Sequence, residues 1–452
     1  MEKLSIKEIT EAVGGIAGFD GFVSDVCTDT RALTENCLFV CIPGERFDGH
    51  DFAETAVENG AYAVLCERDT GVKNQIKVKS VAKALLDLSG YYRRLFPINV
   101  VGVTGSVGKT TTKEMTHAVL SSKYKTLKTE GNLNNEIGLP KTLFRLDKSY
   151  QAAVIEMGMN HLGEISRLTA AAAPTMGIIG NIGVSHLENL GTRENILKAK
   201  LEMTDGMKKD APLILNGDDE YLSGAEISDR PVVYFGIDSG KCRFKASDIV
   251  SEGFKTSFTV SFDGMKQKIE LPAVGKHNIY NALAAFAAGS LVSVSPEDAA
   301  RALSSYTPSG MRQRMRSIGG ISFIEDCYNA SPDSVKAALT TLSNLSCKRR
   351  IAVLGDMLEL GSVSSESHRL SGRLAAENNV DILLTYGERS VETAAEALTA
   401  GVKEVESFDD KEKLSERLIP ILRDGDAVLF KASRGMKLED VINNVYKELD
   451  KS

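Results

Sequence analysis

The feature that most constrains this chain is a glycine-rich turn between an apolar run and a polar helix start. Residues 98–103 (INVVGV) favour a β-strand, the turn occupies 104–108 (TGSVG), and Lys109 and Thr110 open a helical segment. Such glycines let backbone N–H groups converge on an anion, and the helix N-terminus points free N–H groups at the same place. Lys109 would hold the β- and γ-phosphates, and the Thr110 hydroxyl would reach Mg²⁺. We therefore predict a nucleoside triphosphate site.

This turn departs from the common phosphate-binding loop at one position. The usual form is G-x-x-x-x-G-K-[ST], and Val103 stands where its first glycine would be. An ordinary glycine-rich turn is therefore the alternative interpretation. The strand signal before the turn and the helix signal after it favour the nucleotide site.

Length, charge and cysteine usage restrict the class of protein. A chain of 452 residues is too long for one ordinary core, which predicts two to four domains. The net charge of −7 gives no reason to expect binding to nucleic acid or acidic membranes. No apolar run resembles a signal or membrane-spanning segment, so we expect a cytoplasmic protein. The seven cysteines contain no C-x-x-C pair and predict neither a disulfide framework nor a zinc site.

Strand and helix signals predict three α/β domains, at residues 1–97, 98–310 and 311–452. Pro97 marks the first boundary because proline disfavours helix in the residue before it. After about Gly310, further strand-like runs alternate with helical ones, which predicts a smaller, doubly wound, Rossmann-like domain.

The middle segment has the pattern of a parallel sheet, since strand-like and helical runs alternate. The strand-like runs lie at 152–156, 177–182 and 212–216. Residues 254–269 then alternate apolar and polar side chains around Asp263-Gly264, which predicts a β-hairpin insert.

Three polar residues of this segment are candidates for chemistry. Glu156 ends a predicted strand, at the sheet edge where phosphate-loop folds hold Mg²⁺. His186 follows the next strand, and Lys200 lies on a later helical run. Taken alone, each has an ordinary alternative: a solvated strand-end carboxylate, a structural histidine and a solvated helix charge.

Two polar stretches of the last segment are also candidates. Residues 326–334 (DCYNASPDS) follow a predicted strand, where they either cap a helix or close over a nucleotide. Residues 431–434 (KASR) end the final strand, where Ser433 and Arg434 could bind a carboxylate. A surface turn is the alternative for the second stretch.

Together and in this order, these elements resemble the Mur ligases, the ATP-dependent amide-forming enzymes of peptidoglycan synthesis. The matching stretches are 104–110 (TGSVGKT), Glu156, 186–188 (HLE), 199–200 (AK), 275–283 (GKHNIYNAL) and the motif at Asp326. Four more resemble the branch of the family that adds a dipeptide: 44–52 (GERFDGHDF), 129–140 (TEGNLNNEIGLP), 160–165 (NHLGEI) and 328–332 (YNASP). The resemblance covers nearly the whole chain.

The resemblance implies an activity. The enzyme would join D-alanyl-D-alanine to UDP-N-acetylmuramoyl-tripeptide through an acyl phosphate, with release of ADP and phosphate. It would use ATP and two Mg²⁺ ions and act as a cytoplasmic monomer. The third residue of the tripeptide, L-lysine or meso-diaminopimelate, and the base that deprotonates the incoming amine both stay open.

The resemblance also implies site residues. ATP would contact Gly105, Ser106, Val107, Gly108, Lys109, Thr110, Thr111, His277, Asn278, Asn281, Arg312 and Asp326. The UDP-substrate and the dipeptide would contact Thr30, Arg31, Arg46, Thr129, Asn132, Asn134, Asn135, Tyr328, Asn329, Lys431, Ser433 and Arg434. The metals would lie at Thr110, Glu156, His186 and Lys200, and the catalytic residues would be Lys109, His186 and Lys200.

Two of these assignments need a choice. Lys200 aligns with a lysine that family members carry as its CO₂ adduct, a carbamate, which implies the same modification here. An arginine near residue 311 would reach the nucleotide, and of Arg312, Arg314 and Arg316 we favour Arg312 because residues 310–312 best match the family pattern.

Three rival functions share parts of this pattern. A sibling ligase for a single amino acid would have the same ATP site, but residues 134–135 and 328–330 weigh against it. A phosphate-loop kinase would leave the last domain unexplained. A nucleotide-dependent switch would have no use for a UDP site in the first domain.

Overall fold

The computed structural model describes residues 1–44, 46–308 and 310–450. Glu45, which belongs to the stretch 44–52 noted above, lies outside the described residues. Three α/β domains follow one another along the chain, as the sequence predicted. No helix in these ranges is long and apolar enough to cross a membrane.

The N-terminal domain is built on a small parallel sheet of order β3-β4-β5-β6, beside a two-stranded antiparallel ribbon of β1 and β2. Its strands are β1 (Leu4–Ser5), β2 (Phe22–Val23), β3 (Asp25–Cys27), β4 (Cys37–Val40), β5 (Ala61–Cys66) and β6 (Gln75–Lys77). Its helices are α1 (Ile6–Val13), α2 (Ala53–Glu58) and α3 (Val81–Arg94). Helix α1 starts where a capping box forms, since Ser5 and Glu8 each accept a hydrogen bond from the other's backbone N–H.

The central domain has a nine-stranded sheet of order β15-β14-β13-β12-β11-β10-β7-β9-β8. Its strands are β7 (Asn99–Thr104), β8 (Thr126–Lys128), β9 (Ala152–Glu156), β10 (Met176–Ile179), β11 (Leu213–Asn216), β12 (Val232–Gly236), β13 (Phe244–Glu252), β14 (Lys255–Phe262) and β15 (Met265–Leu271). Its helices are α4 (Lys109–Ser121), α5 (Gly138–Leu143), α6 (Glu164–Ala172), α7 (Leu187–Leu190), α8 (Arg193–Leu201), α9 (Glu220–Ser223), α10 (Lys276–Leu291) and α11 (Pro296–Ser304).

The predicted hairpin forms within this sheet rather than beside it. Strands β14 and β15 pair antiparallel around Asp263-Gly264, and β13 joins them to the parallel strands through β12. The run predicted at 177–182 is a shorter strand, β10, that ends at Ile179. Beyond Ile179 the chain stays beside the glycine-rich loop, since the Gly180 N–H donates to the Thr104 carbonyl and the Asn181 carbonyl accepts from the Ser106 N–H, both at 3.1 Å.

The C-terminal domain is a doubly wound sheet of order β16-β17-β21-β18-β19-β20. Its strands are β16 (Arg314–Ile318), β17 (Ile321–Asp326), β18 (Arg349–Gly355), β19 (Ile382–Tyr386), β20 (Glu404–Phe408) and β21 (Asp426–Lys431), all parallel except the edge strand β16. Its helices are α12 (Pro332–Ser343), α13 (Ser364–Glu377), α14 (Ser390–Ala400), α15 (Lys411–Leu418) and α16 (Glu439–Leu449). Helices α12, α13 and α14 cover one face, and α15 and α16 cover the other.

The joints between the domains differ in their packing. One hydrophobic cluster runs without a break from the N-terminal domain into the central one. Across this joint the Tyr92 hydroxyl donates to the Leu146 carbonyl at 2.6 Å, and Arg93 Nε donates to the Ala172 carbonyl at 3.0 Å. The C-terminal domain has hydrophobic clusters of its own. We therefore expect domain motion at the linker near Gly310 rather than at Pro97.

Candidate active site

The glycine-rich turn forms a phosphate-sized loop at the carboxyl end of β7. Gly108 has φ +80°, and a Cβ built there would lie 2.9 Å from Asn281 Oδ1, so only glycine fits without a shift. Lys109 Nζ bends back over the loop and donates to the carbonyls of Gly105 at 2.9 Å and Ser106 at 3.3 Å. Burial lowers the pKa of Lys109, Glu156 opposes that shift, and Arg312 adds to it. Arg312 therefore lies near enough for its charge to act on the Lys109 ammonium.

A second loop, at residues 180–184, braces the first. The Asn181 side chain accepts from the Val107 N–H and donates to the Val107 carbonyl, both at 2.9 Å. The Ser106 N–H donates to the Asn181 carbonyl at 3.1 Å. The phosphate loop is therefore held by its neighbour before any ligand binds. Asn181 was not predicted as a site residue from the sequence, although its place at the end of a predicted strand was a usable signal.

Glu156 is buried at the end of β9, next to β7, with 2% of its surface exposed. Its Oε1 accepts from Asn134 Nδ2 at 2.8 Å, and its backbone N–H donates to Thr129 Oγ1 at 3.0 Å. Its Oε2 has no hydrogen-bond partner among the described residues and lies 3.7 Å from the buried ammonium of Lys113. The alternative of a solvated strand-end carboxylate is wrong.

The environment of Glu156 suits Mg²⁺. The Glu156 Oε2 is a hard oxygen that accepts no hydrogen bond, although the Lys113 ammonium lies 3.7 Å away, and Thr110 lies buried at the start of α4. The described residues contain no group of three or more His, Cys, Asp and Glu side chains placed to hold a metal. Mg²⁺ is commonly bound through one or two carboxylates together with substrate phosphates and water, so one carboxylate and one hydroxyl beside a phosphate loop fit it.

His186 lies immediately before α7 and Lys200 lies on α8, close enough for the Lys200 charge to act on the His186 ring. Burial and the charges of Lys109 and Lys200 lower the pKa of His186 to about 3, so its ring is neutral and can act as a ligand. Lys200 is 1% exposed. Burial, and then Lys109, lower the Lys200 pKa well below 10.5. The alternative of a solvated helix charge is wrong for Lys200, whose amine has no ion-pair partner among the described residues.

The far side of the phosphate loop meets the start of α10. Asn281 accepts from Thr112 Oγ1 at 3.0 Å. Gln313 Oε1 lies 2.6 Å from His277 Nε2 and accepts from Asn278 Nδ2 at 3.0 Å. Gln313, with φ +51°, lies in the linker to the C-terminal domain and was not identified from the sequence. It brings the linker onto the two α10 side chains predicted to lie by the nucleotide base.

Arg312, Arg314 and Arg316 have different partners. The Arg312 guanidinium lies over the Tyr328 ring, 3.7 Å from its centre, and its charge contributes to the pKa of Lys109. Arg314 and Arg316 lie on β16 within 3.9 and 3.4 Å of the Glu325 carboxylate. This geometry favours Arg312 as the arginine that faces the phosphate loop.

The predicted residues at the end of β21 point in different directions. The Lys431 ammonium pairs with buried Asp326 at 2.8 Å and donates to the Asn329 carbonyl at 2.6 Å. Ser433 Oγ accepts from the Leu358 N–H at 2.9 Å. Arg434 is exposed and pairs with Glu439 at 2.9 Å. Lys431 is buried, whereas the Arg434 guanidinium can be reached by a ligand from solution.

The residues predicted to bind the UDP part lie in the N-terminal domain, on the short helical turn Thr30–Ala32 and at Arg46. Thr30 and Arg31 form a short helical turn, where Arg31 pairs with Asp29 at 2.6 Å and lowers its pKa. Lys141 of α5 in the central domain contributes to the same shift. Arg46 is exposed. These contacts leave the substrate role of this group a prediction.

The asparagines at 132, 134 and 135 lie in the loop before α5 and take part in its hydrogen bonds. Asn135 Oδ1 accepts from the Gly138 N–H at 2.8 Å, at the start of α5. The Asn132 carbonyl accepts from the Asn134 N–H at 2.8 Å. Their role, and that of Thr129, in lining the path of the peptide also stays a prediction.

A cleft separates the central and C-terminal domains beside His186. Its walls include Asn160 and Val184 on the central side and Glu359, Leu360 and Val363 on the other. His186 and Val184 therefore line a cleft between two domains, the kind of place where ligand sites commonly occur.

Comparisons with known proteins agree with this geometry. Three family models match: "Mur ligase family, catalytic domain" at 23–93, "Mur ligase middle domain" at 103–289 and "Mur ligase, glutamate ligase domain" at 311–434. The UDP-N-acetylmuramoyl-tripeptide--D-alanyl-D-alanine ligase of Bacillus subtilis is 39% identical over 98% of this chain and 99% of its own. The Escherichia coli enzyme of that name is 35% identical over 98% of each chain.

Solved structures give the same result. The crystal structure of MurF from Acinetobacter baumannii superposes with a TM-score of 0.91, at 30% identity, over 99% of both chains. MurF from Thermotoga maritima in complex with ADP superposes with a TM-score of 0.86, at 30% identity, over 94% of this chain and 98% of that one.

Proposed function

The chain belongs to the Mur ligase family, and from that membership we propose that it joins D-alanyl-D-alanine to UDP-N-acetylmuramoyl-tripeptide. ATP is converted to ADP and phosphate, and the product is a UDP-linked pentapeptide precursor of peptidoglycan. The observation that carries the proposal is the full-length similarity to ligases of that name, at 35 and 39% identity. The ADP complex of the Thermotoga maritima relative supports ATP as the nucleotide.

The chemistry requires activation of a carboxylate. A free carboxylate is a poor acyl donor because oxide would have to leave. Transfer of the γ-phosphoryl group of ATP to a carboxylate oxygen gives an acyl phosphate, whose leaving group is phosphate. The amine of the dipeptide then attacks the acyl carbon, loses a proton and displaces phosphate, which leaves an amide.

The phosphate loop supplies positive charge for the first step. Lys109 Nζ now bonds two loop carbonyls, and phosphate oxygens would replace these acceptors. Arg312, in the linker, adds a second positive charge near Lys109. Phosphoryl transfer is assisted mainly by such positioned charges. Because an acyl phosphate hydrolyses in water, we expect the C-terminal domain to close before transfer.

The metal ligands in this proposal are Thr110, Glu156, His186 and Lys200, and we propose two Mg²⁺ ions. Bound Mg²⁺ neutralises phosphate charge and polarises the phosphoryl group. Asn134 and Thr129 orient Glu156 so that its Oε2 stays free, and the lowered pKa keeps His186 neutral.

Lys200 is a metal ligand only after modification. A neutral amine adds to the carbon of CO₂ and loses one proton, which yields a carbamate anion. Burial favours the neutral amine of Lys200, as this reaction requires. The test is Lys200→Ala supplied with short carboxylates such as acetate. Recovery of ligase activity supports the carbamate, and no recovery counts against it.

The remaining assignments concern the two substrates. Thr30, Arg31 and Arg46 bind the UDP part, Thr129, Asn132, Asn134 and Asn135 line the peptide path, and Tyr328, Asn329, Lys431, Ser433 and Arg434 receive the dipeptide. Arg434 of the C-terminal domain binds the carboxylate of the dipeptide, because its guanidinium is exposed. We also propose a cytoplasmic monomer with domain boundaries near 97 and 310.

The experiment is phosphate release from ATP with Mg²⁺ and UDP-N-acetylmuramoyl-tripeptide, with and without D-alanyl-D-alanine. Release that needs both substrates, with a product heavier by the dipeptide minus water, supports the proposal. If a single amino acid replaces the dipeptide, the chain is a sibling ligase. If ATP is consumed without either substrate, the proposed function is wrong.

A further inference from the structure

The loop at residues 180–184, between the phosphate loop and His186, is held from two domains. Three successive backbone N–H groups each donate to a side-chain oxygen at 2.8 Å. They are Ile182 to Asp219 Oδ2, Gly183 to Ser106 Oγ and Val184 to Asp333 Oδ2. Asp219 and Ser106 belong to the central domain, but Asp333 belongs to the C-terminal domain. The third hydrogen bond therefore crosses the cleft.

Asp333 is the second residue of α12, after a capping box formed by Ser331 and Ser334, in which Ser334 Oγ accepts from the Ser331 N–H at 2.8 Å. The Asp333 carboxylate reaches Gly183, where a built Cβ would lie only 2.2 Å from Asp333 Oδ2 and 3.2 Å from the Ser106 Cβ. A side chain at residue 183 therefore fits only if the Asp333 carboxylate moves from its position on the Val184 N–H.

We infer that Asp333 is a positioning residue that couples docking of the C-terminal domain to the shape of the phosphate site. Its hydrogen bond to Val184 forms only when the domain is docked, and it holds the backbone two residues before His186. Ser106 transmits the same constraint to the phosphate loop through Gly183. The inference rests on the proposed function for its consequence in catalysis, while the contact itself can be tested without substrates.

The direct test is amide hydrogen exchange at single-residue resolution on the full chain without substrates. Asp333→Ala removes a charge-assisted hydrogen bond, so we expect the Val184 amide to exchange roughly ten- to a hundredfold faster. The Ile182 amide, held by Asp219 at the same distance, should not change. The matched control Asp219→Ala should have the reverse effect. Unchanged exchange at Val184 in Asp333→Ala overturns the inference.

A double-variant cycle tests the coupling to catalysis. Gly183→Ala should lower dipeptide-dependent phosphate release about tenfold or more, because the new methyl group collides with Asp333 when the domain docks. Adding Asp333→Ala removes the collision, so the double variant should be no slower than Gly183→Ala. If the double variant instead loses the product of the two single-variant factors, measured for Gly183→Ala and for Asp333→Ala, the residues act independently and the inference is wrong.

The two tests distinguish this inference from the proposed function. If the ligase assignment is wrong, the wild-type enzyme shows no dipeptide-dependent phosphate release, but Asp333→Ala still speeds exchange of the Val184 amide. If the role of Asp333 is wrong, the wild-type enzyme releases phosphate as proposed, but the exchange of Val184 does not differ between the two proteins.

Discussion

Replacement of Lys200 by methionine should stabilise the fold while it abolishes ligation. The two side chains are similar in length, but methionine has no amine to desolvate. Lys200 is 1% exposed and has no ion-pair partner among the described residues. Folding must therefore either bury its amine as a cation or remove the proton from it, and both cost free energy. Replacement of buried ion pairs by hydrophobic residues is neutral or stabilising by up to about 4 kcal/mol. Because the Lys200 amine has no counter-charge among the described residues, we expect a gain on the order of 1 kcal/mol or more.

The gain should depend on pH with a definite sign. In the unfolded chain Lys200 keeps its proton up to about its ordinary pKa of 10.5, whereas in the native chain its pKa is well below that value. Between the two pKa values the unfolded state holds more protons, so raising the pH stabilises the native wild-type protein. Relative to Lys200→Met, the wild type should gain about 1.4 kcal/mol per pH unit in this window.

The assay is urea unfolding of both proteins in CO₂-free buffer, at several pH values between about 8.5 and 10. Peptide-resolved amide exchange identifies the transition that contains α8. The advantage of Lys200→Met should shrink as the pH rises, and added bicarbonate should stabilise the wild type alone. Parallel pH curves for the two proteins would refute the reasoning, because they would mean that native Lys200 titrates as it does in the unfolded chain.

Three further predictions follow from single contacts. Arg312→Ala should lower kcat/KM for ATP by about tenfold or more, as expected for loss of a charged contact. The control Arg316→Ala should change kcat/KM by less than about threefold, because that side chain pairs with Glu325. Equal losses in the two variants would contradict the assignment of Arg312. The His186 ring protons should show no NMR titration between about pH 5 and 8, since the pKa of His186 is about 3, and a midpoint near 6.5 would contradict its burial. Tyr92→Phe should lower the free energy of unfolding by about 1–2 kcal/mol in thermal or urea unfolding, because its hydroxyl bonds the Leu146 carbonyl across the domain joint; an unchanged stability would contradict that role.

The sequence predicted the parts of the site that follow from local pattern. Glu156 was found because a parallel sheet brings the carboxyl ends of adjacent strands to one edge, and β9 does lie beside β7. The phosphate loop was found because glycine spacing and a Lys-Thr helix start are a local signature. In both cases the chemistry lies within a few residues of a recognisable strand end.

The rest could not be predicted because it depends on contacts distant in sequence. Asp333 is 149 residues from Val184, and Gln313 is 36 residues from His277, and each contact forms across a domain boundary. Burial of Lys200 was equally inaccessible, since lysine on a short helix is usually solvated. Strand β16 was missed because its charged, half-exposed residues lack an apolar pattern.

The most direct test of the account follows the oxygen atoms of the activated carboxylate. UDP-N-acetylmuramoyl-tripeptide labelled with ¹⁸O in both oxygens of its terminal carboxylate is incubated with ATP, Mg²⁺ and D-alanyl-D-alanine. An acyl-phosphate route predicts that one labelled oxygen appears in the released phosphate and the other stays in the new amide. Phosphate without label, formed while the pentapeptide accumulates, would contradict the mechanism.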